Sequence, residues 1–235
     1  MAEECLICGK PLVYTNESKE MRCAVCGKTV LSKACCLEKH FVCDDCHGNG
    51  VALIKTICLH SKSKNPSRIA MGLMRHDFIH MHGPEHHVLV GAALLTAYKN
   101  AGGQIELEKA LQEMEVRGKN VPGGACGFWG CCGAAISAGM FISIISEATP
   151  LSEDEWGKAN LMTAAVLAKI GELGGPRCCK RNTFLAIETA VDYVKAHFNV
   201  AMEKEAEGIV CSFYKRNAQC LKKRCPFFPH KKEHS

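Results

Sequence analysis

Seventeen cysteines and eleven histidines among 235 residues concentrate the chemistry of this chain in a few short stretches. Two of these are near-copies: CLICGK holds Cys5 and Cys8, and CAVCGK holds Cys23 and Cys26. In a C-x2-C turn both sulfurs can reach one tetrahedral ion, and a following glycine lets the backbone turn sharply. A third group supplies Cys35, Cys36, His40, Cys43, Cys46 and His47. Within it, C-x3-H-x2-C-x2-C again offers four soft or borderline ligands. Two zinc ions are expected. Sequential pairing would put Cys5, Cys8, Cys23 and Cys26 on one ion and Cys36, His40, Cys43 and Cys46 on the other. Cross-bracing would instead join Cys5 and Cys8 to Cys36 and His40, leaving the other four together. Spacing alone leaves both open. With every position filled by protein, the expected zinc is structural and not catalytic. So small a stretch lacks the apolar residues to fold alone, and the metal should supply the folding energy.

Further thiols sit at two glycine-rich turns. Residues 122–145 read PGGACGFWGCCGAAISAGMFISII and carry Cys126, Cys131 and Cys132. Residues 171–182 read GELGGPRCCKRN and carry Cys178 and Cys179 with Arg177, Lys180 and Arg181. Each turn opens a helix, where free N–H groups and the helix dipole favour anions and lower thiol pKa values. A third turn, HDFIHMHGPEHH, packs five histidines and Glu85 into residues 76–87. Its His82, Glu85 and His86 could ligate a metal or move protons near neutral pH. The last group, Cys211, Cys220 and Cys225, is spaced C-x8-C-x4-C-P. A proline after the last cysteine occurs in iron–sulfur ligand runs, although these spacings match no common zinc or ferredoxin pattern.

Two functions compete for these residues. In an enzyme, Cys126, Cys131 or Cys132 would converge with Cys178 or Cys179, joined by Cys211, Cys220 and Cys225 as cofactor ligands. They would hold an iron–sulfur cluster such as [4Fe–4S], or act directly as thiols in sulfur or redox chemistry. Arg177 and Arg181 would orient a small anionic substrate, and His82 or His86 would move the proton. In a binding protein, the zinc module and a basic tail would dock a protein or RNA, and the thiol pairs would hold a soft metal. A plainer reading makes the glycines close-packing devices and the cysteines small core residues.

The elements that must position these groups are mostly helices. The fold class is mainly α: a small N-terminal zinc-binding module of short strands and loops, then an all-helical domain. The divisions are residues 1–58 for the module, 59–67 for a polar linker, 68–210 for the helical domain and 211–235 for a cysteine-containing basic tail. Asn65 and Pro66 suit the cap and first turn of a helix. Val88 to Tyr98 and Ile105 to Val116 show helical spacing, and Gly102-Gly103 separates them. Ser152 and Glu155 form a capping-box pattern. Ile136, Met140, Phe141, Ile144 and Ile145 recur at helical spacing, with Ala135, Ala138, Gly139 and Ile142 opposite. A helix apolar on most sides is buried, so this one is expected at the centre of the domain.

The net charge of +5 is local, because residues 214–235 hold seven Lys/Arg against one Glu. The tail reads as a solvated terminus or as a contact for an acidic partner or RNA. Aromatics at 6% argue against nucleic acid as the main partner. The opening MAEECLICGK has neither basic n-region nor apolar run, so no signal peptide is expected. Many cysteines without export point to the reducing cytoplasm and metal ligation in place of disulfides. The longest near-apolar run is short for a membrane span, so no membrane partner is expected.

Taken together, the chain resembles an uncharacterised cysteine-rich domain family of anaerobic archaea and bacteria. The resemblance is carried by the CxxCGK knuckles, ACCLEKHFVCDDCH, HGPEH, GACGFWGCCGAAISAG, GGPRCCKR and the final CPF. Some relatives are joined to S-adenosylmethionine-dependent enzymes, which implies an anaerobic setting and leaves the reaction open.

Overall fold

The computed structural model describes residues 5, 7–8, 10–43, 46 and 50–229; His47 and residues 230–235 lie outside the described residues. The β-branched and aromatic residues of LVYT and TVL begin two strands, β1 (Leu12–Arg22) and β2 (Thr29–Cys36). They pair antiparallel, with Leu12 opposite Cys36 and Arg22 opposite Thr29. Tyr14 and Leu31 are exposed, so the hairpin has little apolar core of its own. A lone two-stranded hairpin is marginal in water, so this one depends on what it is tied to.

Eight helices follow among the described residues: α1 (Gly50–His60), α2 (Pro66–Met74), α3 (Glu85–Asn100), α4 (Leu107–Lys119), α5 (Ala125–Phe128), α6 (Gly133–Ile145), α7 (Asp154–Leu173) and α8 (Cys179–Phe198). The chain is therefore mainly α, with a small cysteine-rich hairpin ahead of a helical domain. Helix α1 is shared between the two. Its Leu53 packs under the hairpin with Cys5, Ile7 and Cys36, while Ile54 and Cys58 enter the helical core. The short link to α2 is held by Asn100, whose amide donates to Ser61 O at 3.0 Å and Ser63 O at 2.9 Å. Asn65 caps α2 by accepting from Ser67 N at 2.9 Å and Arg68 N at 3.2 Å, with Pro66 at the first helical position.

The central place in the domain belongs to α3, not to α6 as the apolar pattern suggested. Helix α3 is buried from Val88 to Tyr98 and packs against α1, α2, α4, α6 and α8. Helix α6 lies beside it, and its tightly buried side is the small one, Ala134, Ala135, Ser137, Ala138 and Gly139, joined by Phe141 and Ile142. Small residues let neighbours close in. Gly91 of α3 donates its N–H to Ser137 Oγ at 2.9 Å. A side chain at Gly139 would collide with Thr163 of α7.

Two other expectations change. Ser152 does not cap α7; its hydroxyl accepts from Thr149 N at 3.0 Å, and the helix starts without a side-chain cap. The tail up to Pro229 is not a solvated terminus. Phe213, Leu221, Cys225 and Phe227 are buried in the helical core, and Phe227 meets Phe184 edge-on at 5.3 Å. Two short 3-10 turns, Tyr214–Arg216 and Lys222–Arg224, leave their basic side chains outside while the apolar residues between them turn inward.

Candidate metal centres and thiol pocket

The hairpin brings together two quartets of ligand atoms, each within 4.8 Å of one another: Cys5, Cys8, Cys36 and His40; and Cys23, Cys26, Cys43 and Cys46. Each could hold a metal ion. The pairing is cross-braced, and the strand register is the reason. With Leu12 opposite Cys36, the knuckle before β1 meets the residues that follow β2. The second knuckle occupies the hairpin turn, where Ala24 N bonds Phe41 O at 2.8 Å and draws Cys43 alongside. Both knuckles close identically, by Cys5 N to Lys10 O at 2.8 Å and Cys23 N to Lys28 O at 2.9 Å. Backbone N–H groups point at the sulfurs: His40 N at Cys36 and Cys43 N at Cys23, at 3.3 and 3.4 Å. Such bonds stabilise thiolates. Cys35 lies in neither quartet. His40 meets His60 of α1 edge-on at 5.0 Å, so the first quartet sits against the helical domain.

On the helical side the two glycine-rich turns meet. Cys132 is the N-cap residue of α6 and Cys178 that of α8. The Asn182 amide, in the first turn of α8, donates to Cys132 Sγ at 3.3 Å. Cys126, Cys132, Arg177, Arg181 and Asn182 line one open pocket of about 880 Å³, its mouth included. Cys179 lies within electrostatic reach of Cys132 and Cys126, and the Gly83 N–H of the HGPEHH turn points at its sulfur. All three turns therefore border one region. Cys131 is half-buried and closes the α5 turn by donating its N–H to Ala125 O at 3.2 Å.

Behind Cys178 lies a second, more enclosed space. Cys178, Cys211, Cys220 and Cys225 line it together with Arg181 and Asn217. Asn217 joins it to the histidine turn. Its amide donates to Cys178 Sγ at 3.5 Å, and its carbonyl pairs with His82 Nε2 at 3.2 Å. Asn182 and Asn217 carried no motif signal in the sequence; only their burial beside sulfur marks them.

The charges of the region are unusual. Lys180 and Arg181 are 1% and 3% exposed. Neither makes an ion pair with a carboxylate among the described residues. Burial pulls the Lys180 ammonium down to about 8. Burial also pushes Cys179 up to about 11 and raises Cys178 and Cys211. The expectation that helix N-termini would lower the α8 thiols is thus corrected: loss of solvent outweighs the helix end. Burial lowers His82 as well, and takes His86 down to about 3 with Lys180 nearby. His86 donates from Nδ1 to Gly83 O at 3.2 Å, and its buried Nε2 has no partner among the described residues. It stays neutral across the working range of pH.

Fold and sites together define a cysteine-rich helical protein with two metal-competent quartets on an N-terminal hairpin and further thiols gathered at helix starts. No helix is long and apolar enough to cross a membrane among the described residues. The chain belongs to a family of unknown function, DUF5714, whose family model matches residues 54–228. The match begins inside α1 and ends at Phe228, so it takes in the folded tail along with the helices. The chain matches no curated protein and no solved structure.

Proposed function

We propose that this is a cytoplasmic metalloenzyme. Its N-terminal quartets hold two structural zinc ions, and its helical domain carries out thiol-based sulfur or redox chemistry on a small anionic substrate. One observation carries the reading: Cys126 and Cys132, from one glycine-rich turn, share a pocket with Arg177, Arg181 and Asn182 from the other. Zinc suits all-protein ligand sets of four cysteines, or of three cysteines and a histidine. The free state of all seventeen cysteines suits a reducing compartment.

In the pocket, Arg177 stands exposed at the rim and Arg181 forms the wall, so an anion is met by two guanidinium groups. Cys132, polarised by the Asn182 amide, attacks a sulfur atom of the substrate and expels the rest of it as a thiolate. Cys126 then displaces the bound sulfur, leaving a Cys126–Cys132 disulfide. The two cysteines give up two electrons and two protons, and the substrate takes both. A cellular dithiol reductant restores them. Cys179, held protonated by burial, relays a proton to the leaving sulfur and is reprotonated by the one that Cys132 gives up. His82 is better placed than His86 to exchange protons with solvent, since it is only half-buried and lies near Arg177.

The test uses anaerobically purified protein with small anions containing an S–S bond, tetrathionate first, and follows thiol release. Cys132→Ser and Cys126→Ser should abolish turnover. Arg177→Ala should raise the half-saturating concentration about tenfold. Wild-type turnover in both cysteine variants would refute the reading. A second reading, a docking module for a protein partner, is favoured by Phe128 and Trp129, which stand 90% and 66% exposed at the end of α5, the short helix that carries Cys126. The exposed Lys215, Arg216, Lys222, Lys223 and Arg224 of the tail would serve an acidic protein or RNA. If Phe128→Ser with Trp129→Ser leaves turnover intact, the aromatics serve docking and not the reaction.

A further inference from the structure

The enclosed cavity behind Cys178 is not used by the thiol chemistry above, and its contents need an explanation of their own. Four cysteines line it, one from the start of α8 and three from the tail. Cys211, the nearest of the others in sequence, lies 33 positions after Cys178. The fold alone assembles the set. Cys211 N bonds Phe227 O at 2.8 Å, which pins both ends of the tail segment around the cavity.

Charge is the first clue. Arg181 lines the cavity, is buried, and keeps Nη1 without a hydrogen-bond partner among the described residues. Lys180 is buried beside it, its ammonium 5.0 Å from the Phe213 ring centre and 3.4 Å from Ile79 O. Two buried cations with no paired carboxylate are costly unless an anion faces them. Glu85 lies within electrostatic reach of Lys180 without forming an ion pair with it, and the sulfurs, as neutral thiols, would leave Arg181 without an anion.

Hydrogen bonding is the second clue. Cys178 Sγ accepts from Arg181 N at 3.4 Å and from the Asn217 amide at 3.5 Å. Cys220 Sγ accepts from Lys222 N at 3.3 Å, and the Phe213 N–H points at Cys211 Sγ. N–H groups aimed at sulfur are the surroundings of a ligated thiolate.

Spacing is the third clue, and it separates the candidate ligands. Among the described residues, three or more ligand atoms gather within 4.8 Å of one another only in the two N-terminal quartets. No three of the four cavity sulfurs lie within 4.8 Å of one another, so they are not drawn around a single ion. In a cubane cluster each cysteine binds a different iron, which sets the ligand sulfurs farther apart. Phe184, Phe227 and Phe228 wall the space.

We infer that Cys178, Cys211, Cys220 and Cys225 ligate a [4Fe–4S] cluster. An all-cysteine cluster in its oxidised state carries about two negative charges, matching Lys180 and Arg181. This site stands apart from the N-terminal quartets and does not rest on the thiol reading. It also separates the vicinal pair: Cys178 turns to the cluster, while Cys179 takes the Gly83 N–H within electrostatic reach of Cys126 and Cys132. Four protein ligands leave no open iron, so the cluster is an electron carrier, taking one electron at a time from a low-potential donor.

The experiment is anaerobic reconstitution of the full chain, already loaded with zinc, using ferrous iron and sulfide. The wild type should gain about four iron and four acid-labile sulfide per chain, with a broad visible absorption that dithionite bleaches as one electron enters. Cys220→Ala and Cys225→Ala should each lose the iron and sulfide together, while Cys179→Ser keeps both. Because a core variant can fail for want of folding, the half-buried Cys220 is the primary site, with helical circular dichroism and zinc content as controls. Mössbauer spectra of the wild type give the iron count and ligation without any variant. Iron bound without labile sulfide, a third zinc in place of iron, or full cluster content in the Cys220→Ala/Cys225→Ala double variant would each overturn the assignment. Full turnover in Cys126→Ser and Cys132→Ser with the cluster retained would count against the thiol reading alone.

Discussion

Removing one thiolate from the distal quartet, by Cys26→Ala, tests the N-terminal architecture directly. The buried residues around that quartet are Cys23, Cys43 and Cys46, with only half-buried Val25, Val30, Phe41 and Val42 beside them. The quartet nearer the helices adds Ile7 and Leu53 as fully buried apolar side chains. Burying one such side chain contributes about 2–3 kcal/mol. A structural zinc in a small finger contributes about 10–16 kcal/mol. With zinc in the quartets, as proposed, metal binding would therefore dominate, and most completely at the distal end. One ligand in four carries roughly a quarter of that, about 2.5–4 kcal/mol, or a loss of some 70- to 900-fold in affinity. Cys26→Ala should therefore surrender one of two zinc ions to a moderate chelator. Proteolysis should then cut between β1 and β2 while the helical domain resists. The pairing is tested by the Cys26→Ala/Cys43→Ala double variant. In the cross-braced arrangement both residues serve one ion, so one zinc remains. In a sequential arrangement they would serve different ions and both would be lost. Retention of both ions by Cys26→Ala, or loss of both by the double variant, would refute the reasoning.

Two further outcomes follow from the helical core. Replacing Phe227, 4% exposed against Phe184, by Ala should destabilise the helical domain by about 3–5 kcal/mol in denaturant unfolding; a change below about 1 kcal/mol would mean that the tail is not part of that core. His86 makes stability fall with acid: its folded pKa of about 3 lies below the usual 6.5, so the unfolded chain binds the proton first. The contribution is complete above about pH 6.5 and is lost as pH falls towards 3, with a slope of up to about 1.4 kcal/mol per unit; His86→Leu should flatten it, and an unchanged slope would show that other groups govern acid unfolding.

The ligand residues of the hairpin were legible because metal binding imposes local spacing. A C-x2-C turn must bring two sulfurs to one ion, so the knuckles at Cys5 and Cys23 announce themselves without any fold. Their pairing was not legible, since either arrangement satisfies the same spacing. The antiparallel register that sets Leu12 against Cys36 decided it. The helical periods around α3, α4 and α6 were equally readable. Which helix stands at the centre was not, because a run of small residues reads as buried whether it lies at the middle or beside it. The capping box at Ser152 failed for a related reason: the hydroxyl found a nearer donor in Thr149 N than any in the helix.

What the amino-acid order determined by itself is therefore the local chemistry: the knuckles, the helix starts bearing thiols, and the apolar stripes. These depend on neighbours three or four positions away, and the chain carries them wherever it folds. What only the tertiary structure decided is which of these pieces share a cavity. Cys178 stands beside Cys179 in sequence, yet Cys178 lines the enclosed cavity while Cys179 is met by the Gly83 N–H of the histidine turn, because consecutive residues at a helix start point in different directions. The tail returns across α8 because Phe213, Leu221 and Phe227 have apolar surface to bury, and that burial brings Cys211, Cys220 and Cys225 to Cys178. Burial also reversed the expected thiol pKa values, since a helix end lowers a pKa only as far as lost solvent permits.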